Sequence, residues 1–245
     1  MKTIAGGRGV CELRRDDCGG VKTVMLATKQ SGNVGDVLLP KPFLAEQTMG
    51  MVALDRRWTT ADVRALTRED RPWPRYELIA GELLVTPAPR PAHQVAAFEL
   101  CRLLDDYLKL APYGLALMSP SDIELRPETI TQPDVFVVPA ETPAVGNGLE
   151  WSDVRSLLLA IEVLSPSSWR SDRVVKRDFY LASGVLEYWI VDLDARVIER
   201  WFPEQQTPEL HHDRIVWAPG AGAGLEINVV EFFDRIDAKL GRRVL

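Results

Sequence analysis

The sequence is poor in the residues that usually announce a chemistry. Its 245 residues include 3 cysteines and 3 histidines. Cys11, Cys18 and Cys101 are too few and too irregularly spaced for a disulfide framework or a zinc pattern. So sparse a count suits a reducing compartment. The N-terminus also lacks the basic start, apolar core and small-residue cleavage site of a secretory signal, so a cytoplasmic location is expected. No apolar run approaches the ~20 residues that span a bilayer, which excludes a membrane partner at this level of reading. Nor is there an excess of positive charge: 29 Lys and Arg against 35 Asp and Glu leave a net charge of −6. That balance argues against a general nucleic-acid coat protein. It leaves room for a local basic groove, because only charge close to a phosphate matters. There is no internal repeat, no low-complexity tract, and no helix-turn-helix or zinc-finger spacing.

What is present is an ordinary globular composition, 46% hydrophobic and 26% charged. The length suffices for one well-filled core with a segment to spare. Residues 1–50 read as that segment. They have scattered glycine, few aromatics and no sustained periodicity, and are expected to be disordered or to precede a true start at Met49 or Met51. The domain is expected over 51–240. Thr59 or Thr60 can cap a short helix before "RPWP". "RYELIAGELLVTPAP" reads as a hairpin turning near Ala80-Gly81. In "AHQVAAFELCRLLDDYLKL", Ala97, Leu100, Leu104 and Leu108 recur at helical spacing, with Phe98, Cys101 and Tyr107 alongside. "GLALMSPSDIELR" alternates like a strand, placing Asp122 and Glu124 on a solvent face, and "QPDVFVVP" is a second, shorter strand. "SWRSDRVVKRDFYLASG" is a helix closed by Gly184, and "VLEYWIVDLDARVIERWFP" supplies two further strands. The order is α-β-β-β-α-β, a mixed α/β (α+β) fold with a central mixed sheet flanked by helices and preceded by a hairpin.

Between the second strand and the second helix lies "LLLAIEVLSPSS", residues 157–168, a continuous apolar run with one carboxylate at Glu162. Such a run signals a strand covered on both faces, where an ionised Glu costs several kcal/mol unless paired. Asp134 opens the preceding strand just after Pro133. Antiparallel pairing sets the start of one strand beside the end of the other, which brings the two acids together. Neighbouring carboxylates repel unless a cation sits between them, and Mg²⁺ takes one or two carboxylates plus waters. Lys176 lies on the next helix, with Asp172 and Tyr180 at i−4 and i+4, and can return toward the acids.

These residues carry a resemblance. "YELIAGELLVTPAP", the His of "PAHQ", "QPD", "EVLSPSS", "DRVVKRDFY" and "GVLEYWIVD" resemble a restriction-endonuclease family of the PD-(D/E)XK superfamily, first catalogued as a domain of unknown function. The likeness spans roughly Trp73 to Phe233. It implies an α-β-β-β-α-β core and Mg²⁺-dependent hydrolysis of DNA phosphodiesters, with Mn²⁺ as a substitute. Asp134 matches the motif Asp and Glu162 its second acid. The motif Lys would fall at Leu164, so the pattern is broken there, and the family's lysine is read as moved to the helix, at Lys176. His93, Glu77, Glu82 and Tyr180 are accessory candidates.

Plainer roles stand beside these. Asp134 can cap a turn after Pro133, Glu162 can pair with a buried Arg, and Lys176 can form an i,i+4 pair with Asp172. His93 can be a cap or a core hydrogen-bonder, Glu77 and Glu82 surface strand residues, and Ser165, Ser167 and Ser168 helix-start residues around Pro166. His211 and His212 have no carboxylate spacing that makes a metal site. The leading expectation is a metal-dependent DNA endonuclease, with a homodimer as the means of cutting both strands. The alternative is a non-catalytic nucleic-acid-binding or interaction module on the same fold.

Overall fold

The computed structural model describes residues 4–6, 9–15, 21–25, 57–67, 73–143, 148–166 and 168–242. The chain divides into two units, Met1–Ala53 and Leu54–Leu245. In the first, β1 (Ile4–Gly6), β2 (Gly9–Arg15) and β3 (Val21–Met25) form an antiparallel sheet in the order β1-β2-β3. Paired strands therefore occupy part of a stretch that the sequence pattern leaves without structure. Ladder hydrogen bonds come from the main chain, which any side-chain pattern supplies. Residues 26–50 lie outside the described residues.

The second unit begins with α1 (Thr60–Leu66). Thr59 caps it: its side chain accepts from the Asp62 amide while the Asp62 carboxylate accepts from the Thr59 amide. A hairpin follows, β4 (Arg75–Ile79) and β5 (Glu82–Thr86), in which Ile79 faces Glu82 across the two-residue turn Ala80-Gly81. Both turn residues have positive φ, 52° and 81°, as a twisted two-residue hairpin requires. Ala tolerates that region poorly, so Ala80→Asn is expected to stabilise the fold by about 0.5–1 kcal/mol. The check is a rise of a few degrees in melting temperature.

The long helix α2 (Pro91–Leu108) starts with proline at its first position, where no amide donor is needed. Then come β6 (Gly114–Met118), β7 (Val135–Pro139) and β8 (Leu159–Val163). A one-turn 3₁₀ segment, Trp151–Asp153, sits before β8. After β8 a wide π-helical segment, Ser171–Lys176, runs into α3 (Arg177–Ala182). The chain then forms β9 (Glu187–Asp192), β10 (Val197–Trp201), β11 (Glu209–His211), β12 (Arg214–Trp217), β13 (Leu225–Asn228) and α4 (Val229–Lys239). The central sheet has six strands in the order β11-β10-β9-β8-β7-β6. All neighbours are antiparallel except β8 and β9, which are parallel across the α3 crossover. This is the expected α-β-β-β-α-β core with its mixed sheet. One expected strand is shorter than its pattern: β6 stops at Met118, because Pro120 has no amide to donate. Asp122 is still exposed, but it accepts from Gln132 Nε2 at 2.7 Å and belongs to no strand.

Helices cover both faces of the sheet. On one, Val135, Val137, Leu159, Ile161 and Trp189 pack with Ala97, Leu100, Leu104 and Leu108 of α2 and with Phe232, Phe233 and Ile236 of α4. On the other, Phe136, Val138, Ala160, Tyr188 and Ile190 pack with Phe179 and Tyr180 of α3 and with Ile79 of the hairpin. Phe98 does not share the α2 stripe; it is exposed, with the Lys239 ammonium 5.4 Å from its ring centre. No described helix is long and apolar enough to cross a membrane.

Glu99 of α2 is buried, with Arg102 at 3.1 Å, Lys239 at 2.5 Å and Arg235 at 3.6 Å. Burial raises its pKa, but hydrogen bonds from Lys239 and Arg102 outweigh that and hold it below the usual carboxylate value. A lowered acid stabilises the fold above its unfolded pKa and loses that contribution as pH falls through the folded value. Glu99→Gln should therefore lower the melting temperature at neutral pH, with the difference from wild type closing below about pH 4.5.

Candidate active site

The register of β7 and β8 pairs Val135 with Ile161 and Phe136 with Ala160. One step further along, Asp134 faces Glu162. Directly opposed residues share a sheet face, and by alternation this is the face of Phe136 and Ala160, toward α3 and the hairpin. Both acids are almost fully buried, 5% and 2% exposed, so their ionisation depends on what surrounds them.

Asp134 is held by three donors. Arg75 of β4 donates to Oδ1 at 3.1 Å, and the Val163 amide donates to Oδ2 at 2.9 Å. His93, from the first turn of α2, places Nε2 2.9 Å from Oδ2. Burial pushes the carboxyl's pKa up, but the His93 hydrogen bond and the charges of His93, Arg75 and Lys176 overcome it, so Asp134 is held well below the usual range.

Glu162 goes the other way. Its Oε1 accepts from Lys176 Nζ at 3.1 Å and from the Tyr180 hydroxyl at 3.3 Å. Burial, helped by Asp134, Asp172 and Glu77, outweighs the Lys176 charge and drives its pKa far up. Two facing carboxyls thus have opposite tendencies, one kept ionised and one favouring its proton.

Lys176 closes the cluster from the end of the π-helical segment. It lies 2.7 Å from Glu77 Oε2, 3.1 Å from Glu162 Oε1 and 3.7 Å from Asp172 Oδ1. Burial lowers its pKa, yet Glu162, Glu77 and Asp172 together hold it well above the ordinary value, which favours the ammonium. Asp172 is pushed up to about 6, by burial first and then by Asp134 and Glu77 against the pull of Lys176 and Ser168. Its Oδ1 is buried with no hydrogen-bond partner. A π-turn inside a helix is a common device for aiming side chains at a site, and here both Asp172 and Lys176 come from it. Glu77 is held by the Gln132 amide, which donates to Oε1 at 2.8 Å. The hairpin is anchored beside it through paired Leu78 and Ile130 backbone groups.

A cleft of about 200 Å³ opens on this cluster, lined among others by Arg75, His93, Asp134, Glu162, Asp172 and Lys176. Counting Glu77, four carboxyls face the fixed cations Arg75 and Lys176, an excess of acid in low dielectric. With Asp172 Oδ1 accepting no hydrogen bond, that donor set fits a hard divalent cation, which takes oxygen ligands and few protein groups. No three His, Cys, Asp or Glu side chains are gathered into a ready-made ligand cage among the described residues.

The structure brings Asp134, Glu162, Lys176, Tyr180, Glu77 and His93 together and leaves Glu82 out. Glu82 shares the face of Ile79 but sits at the turn end of the hairpin, where it is exposed and lines none of this cleft. Ser165 and Ser168 bond each other, Oγ to Oγ at 2.9 Å, and turn the chain into the helix; Ser167 lies outside the described residues. His211 binds the Arg214 carbonyl, away from the cleft. Sequence reasoning missed Arg75. Its alternation with Glu77 looks like a solvent face, and only the depth of the hairpin's burial reverses that. It also placed Asp172 merely as a partner of Lys176.

Comparison with known proteins agrees with this architecture. A family model described as "Uma2: Putative restriction endonuclease" matches residues 60–229. Among solved structures, a "putative nuclease belonging to DUF820 from Anabaena variabilis" is similar to this chain. The match has a TM-score of 0.58 and 21% identity, covering 73% of this chain and 99% of that one. No curated protein matches.

Proposed function

We propose, from the premise that this chain belongs to the Uma2 restriction-endonuclease family, that it is a divalent-metal-dependent endonuclease hydrolysing DNA phosphodiester bonds. We further take it to act in the cytoplasm as a homodimer that supplies one site per strand. The observation that carries the reading is the facing pair Asp134 and Glu162 lining one cleft, with Lys176 donating to Glu162 at 3.1 Å. Mg²⁺, or Mn²⁺ in its place, would polarise the phosphodiester and offset charge developing on its oxygens.

The chain's own residues prepare the site. Asp134 and Glu162 would be the oxygen ligands of the cation. Arg75, His93 and the Val163 amide fix the first carboxylate, and Lys176 and Tyr180 fix the second. Lys176 also keeps positive charge beside the reacting phosphate. With Nε2 directed to Asp134, Nδ1 of His93 is buried and has no hydrogen-bond partner.

The test is nicking of supercoiled plasmid in Mg²⁺, Mn²⁺ and EDTA. Cleavage in either metal and none in EDTA is the expected result. The alternative, a non-catalytic nucleic-acid-binding module, draws on the completeness of the Lys176 ion-pair cluster, which holds together by itself. Wild-type protein that nicks nothing in any divalent metal would make it the better reading.

A further inference from the structure

Six of the seven tryptophans have a structural occupation. Trp189, Trp201, Trp217 and Trp58 join the apolar clusters, Trp151 packs edge-on to Phe136, and Trp73 lies under the Arg75 guanidinium. Trp169 has none of these roles among the described residues, and at 52% exposure it is the most open of them. An indole half open to water offers a flat apolar face on which another ring can stack.

Trp169 lines a second cavity, of about 430 Å³, beside the acidic cleft. That volume is within the range of about 300–1,000 Å³ typical of small-ligand pockets. The two cavities share Arg90, His93, Ser165 and Pro166 in their walls, so they are direct neighbours. Around Trp169 the wall combines apolar Leu164, Pro166 and Leu193 with charged groups of both signs. Arg173 is committed to Asp192 and Glu199, at 2.9 Å each. The Arg90 side chain has no ion pair or hydrogen bond among the described residues, and the Arg242 side chain reaches only Asp237 there, at 3.5 Å. Two cations available for phosphate, an open indole face and the exposed Asp194, able to accept from a base amino group, are the parts that hold an unstacked nucleotide. A base still stacked in a duplex cannot present its face to a side chain; an unpaired one can.

We infer that this cavity is a stacking subsite for an unpaired deoxynucleotide adjacent to the scissile phosphate, so that the substrate is single-stranded or locally unpaired DNA. The inference rests on the nuclease reading for what occupies the neighbouring cleft, but binding can be measured without cleavage.

The experiment is fluorescence anisotropy in EDTA with a labelled oligothymidylate and with a blunt duplex of equal length, on wild type, Trp169→Ala and Trp169→Phe. Trp169 lies outside the apolar clusters, so the variants should melt like wild type. Wild type is expected to bind the single strand more tightly than the duplex. Trp169→Ala should lose about tenfold for the single strand and leave the duplex unchanged, with Trp169→Phe retaining most of the affinity. Equal single-strand affinity in wild type and Trp169→Ala, or tighter duplex binding by wild type, overturns the subsite. A Trp169-dependent single-strand preference in a protein that nicks nothing would sink the nuclease reading and keep the subsite. Nicking with no effect of Trp169 on binding would do the reverse.

Discussion

Glu162→Gln and Asp134→Asn should each abolish divalent-dependent nicking, by at least ~10³-fold, while differing in what they do to stability. Each removes one of the two facing oxygen ligands. The stability contrast follows from the opposite displacement of their pKa values. Glu162 is pushed up by burial and by Asp134, Asp172 and Glu77, so the fold already disfavours its charge. An amide removes that repulsion and keeps a carbonyl for Lys176 and Tyr180, and the melting temperature should hold or rise. Asp134 is held low by His93, Arg75 and Lys176 despite its burial, so the fold draws stability from its ionised form above the usual carboxylate pKa. Its amide would leave the 7%-exposed Arg75 without a counter-charge, costing ~1–3 kcal/mol. Calorimetric titration with Mn²⁺ should show binding weakened in both. A Glu162→Gln enzyme that cleaves at the wild-type rate would remove Glu162 from the site.

Lys176→Met should have the larger effect on the fold. It leaves Glu162, Glu77 and Asp172 facing one another in a buried cluster with no central cation. Breaking a buried ion pair from one side costs ~3–5 kcal/mol. For a domain of this size that is a fall of roughly 6–20 °C in melting temperature. The loss should shrink in acid, because protonated carboxyls no longer repel, and Asp172, pushed up to about 6 even beside Lys176, takes its proton at higher pH without that cation. Adding Glu162→Gln to Lys176→Met should recover part of the stability, since contacting residues are not additive. Turnover of whatever folded protein remains should fall by ~10²–10³ while Mn²⁺ binding persists, which separates loss of transition-state charge from loss of a ligand. Unchanged melting and unchanged nicking together would return Lys176 to a peripheral partner of Asp172.

The continuous apolar runs of β7 and β8, the helical spacing of α2 and the turn residues at Ala80-Gly81 and Gly184 are local patterns. They determined the element order and, through antiparallel register, that Asp134 and Glu162 would meet. Motif order carried Lys176 to the same place. What tertiary structure decided is everything that depends on the depth of a face. Arg75 and Glu77 alternate as a solvent-facing pair would, yet the hairpin folds over the sheet and buries both, while Glu82 on the same face stays outside at the turn. Phe98 and Leu100 stand two residues apart on one helix, one exposed and one in the core, because only one side of α2 meets the sheet. The π-helical turn that swings Asp172 and Lys176 together inward has no signature in residue type. Periodicity tells which residues share a side. Only packing against other elements tells how far from water that side ends, and a carboxylate's proton depends on that distance.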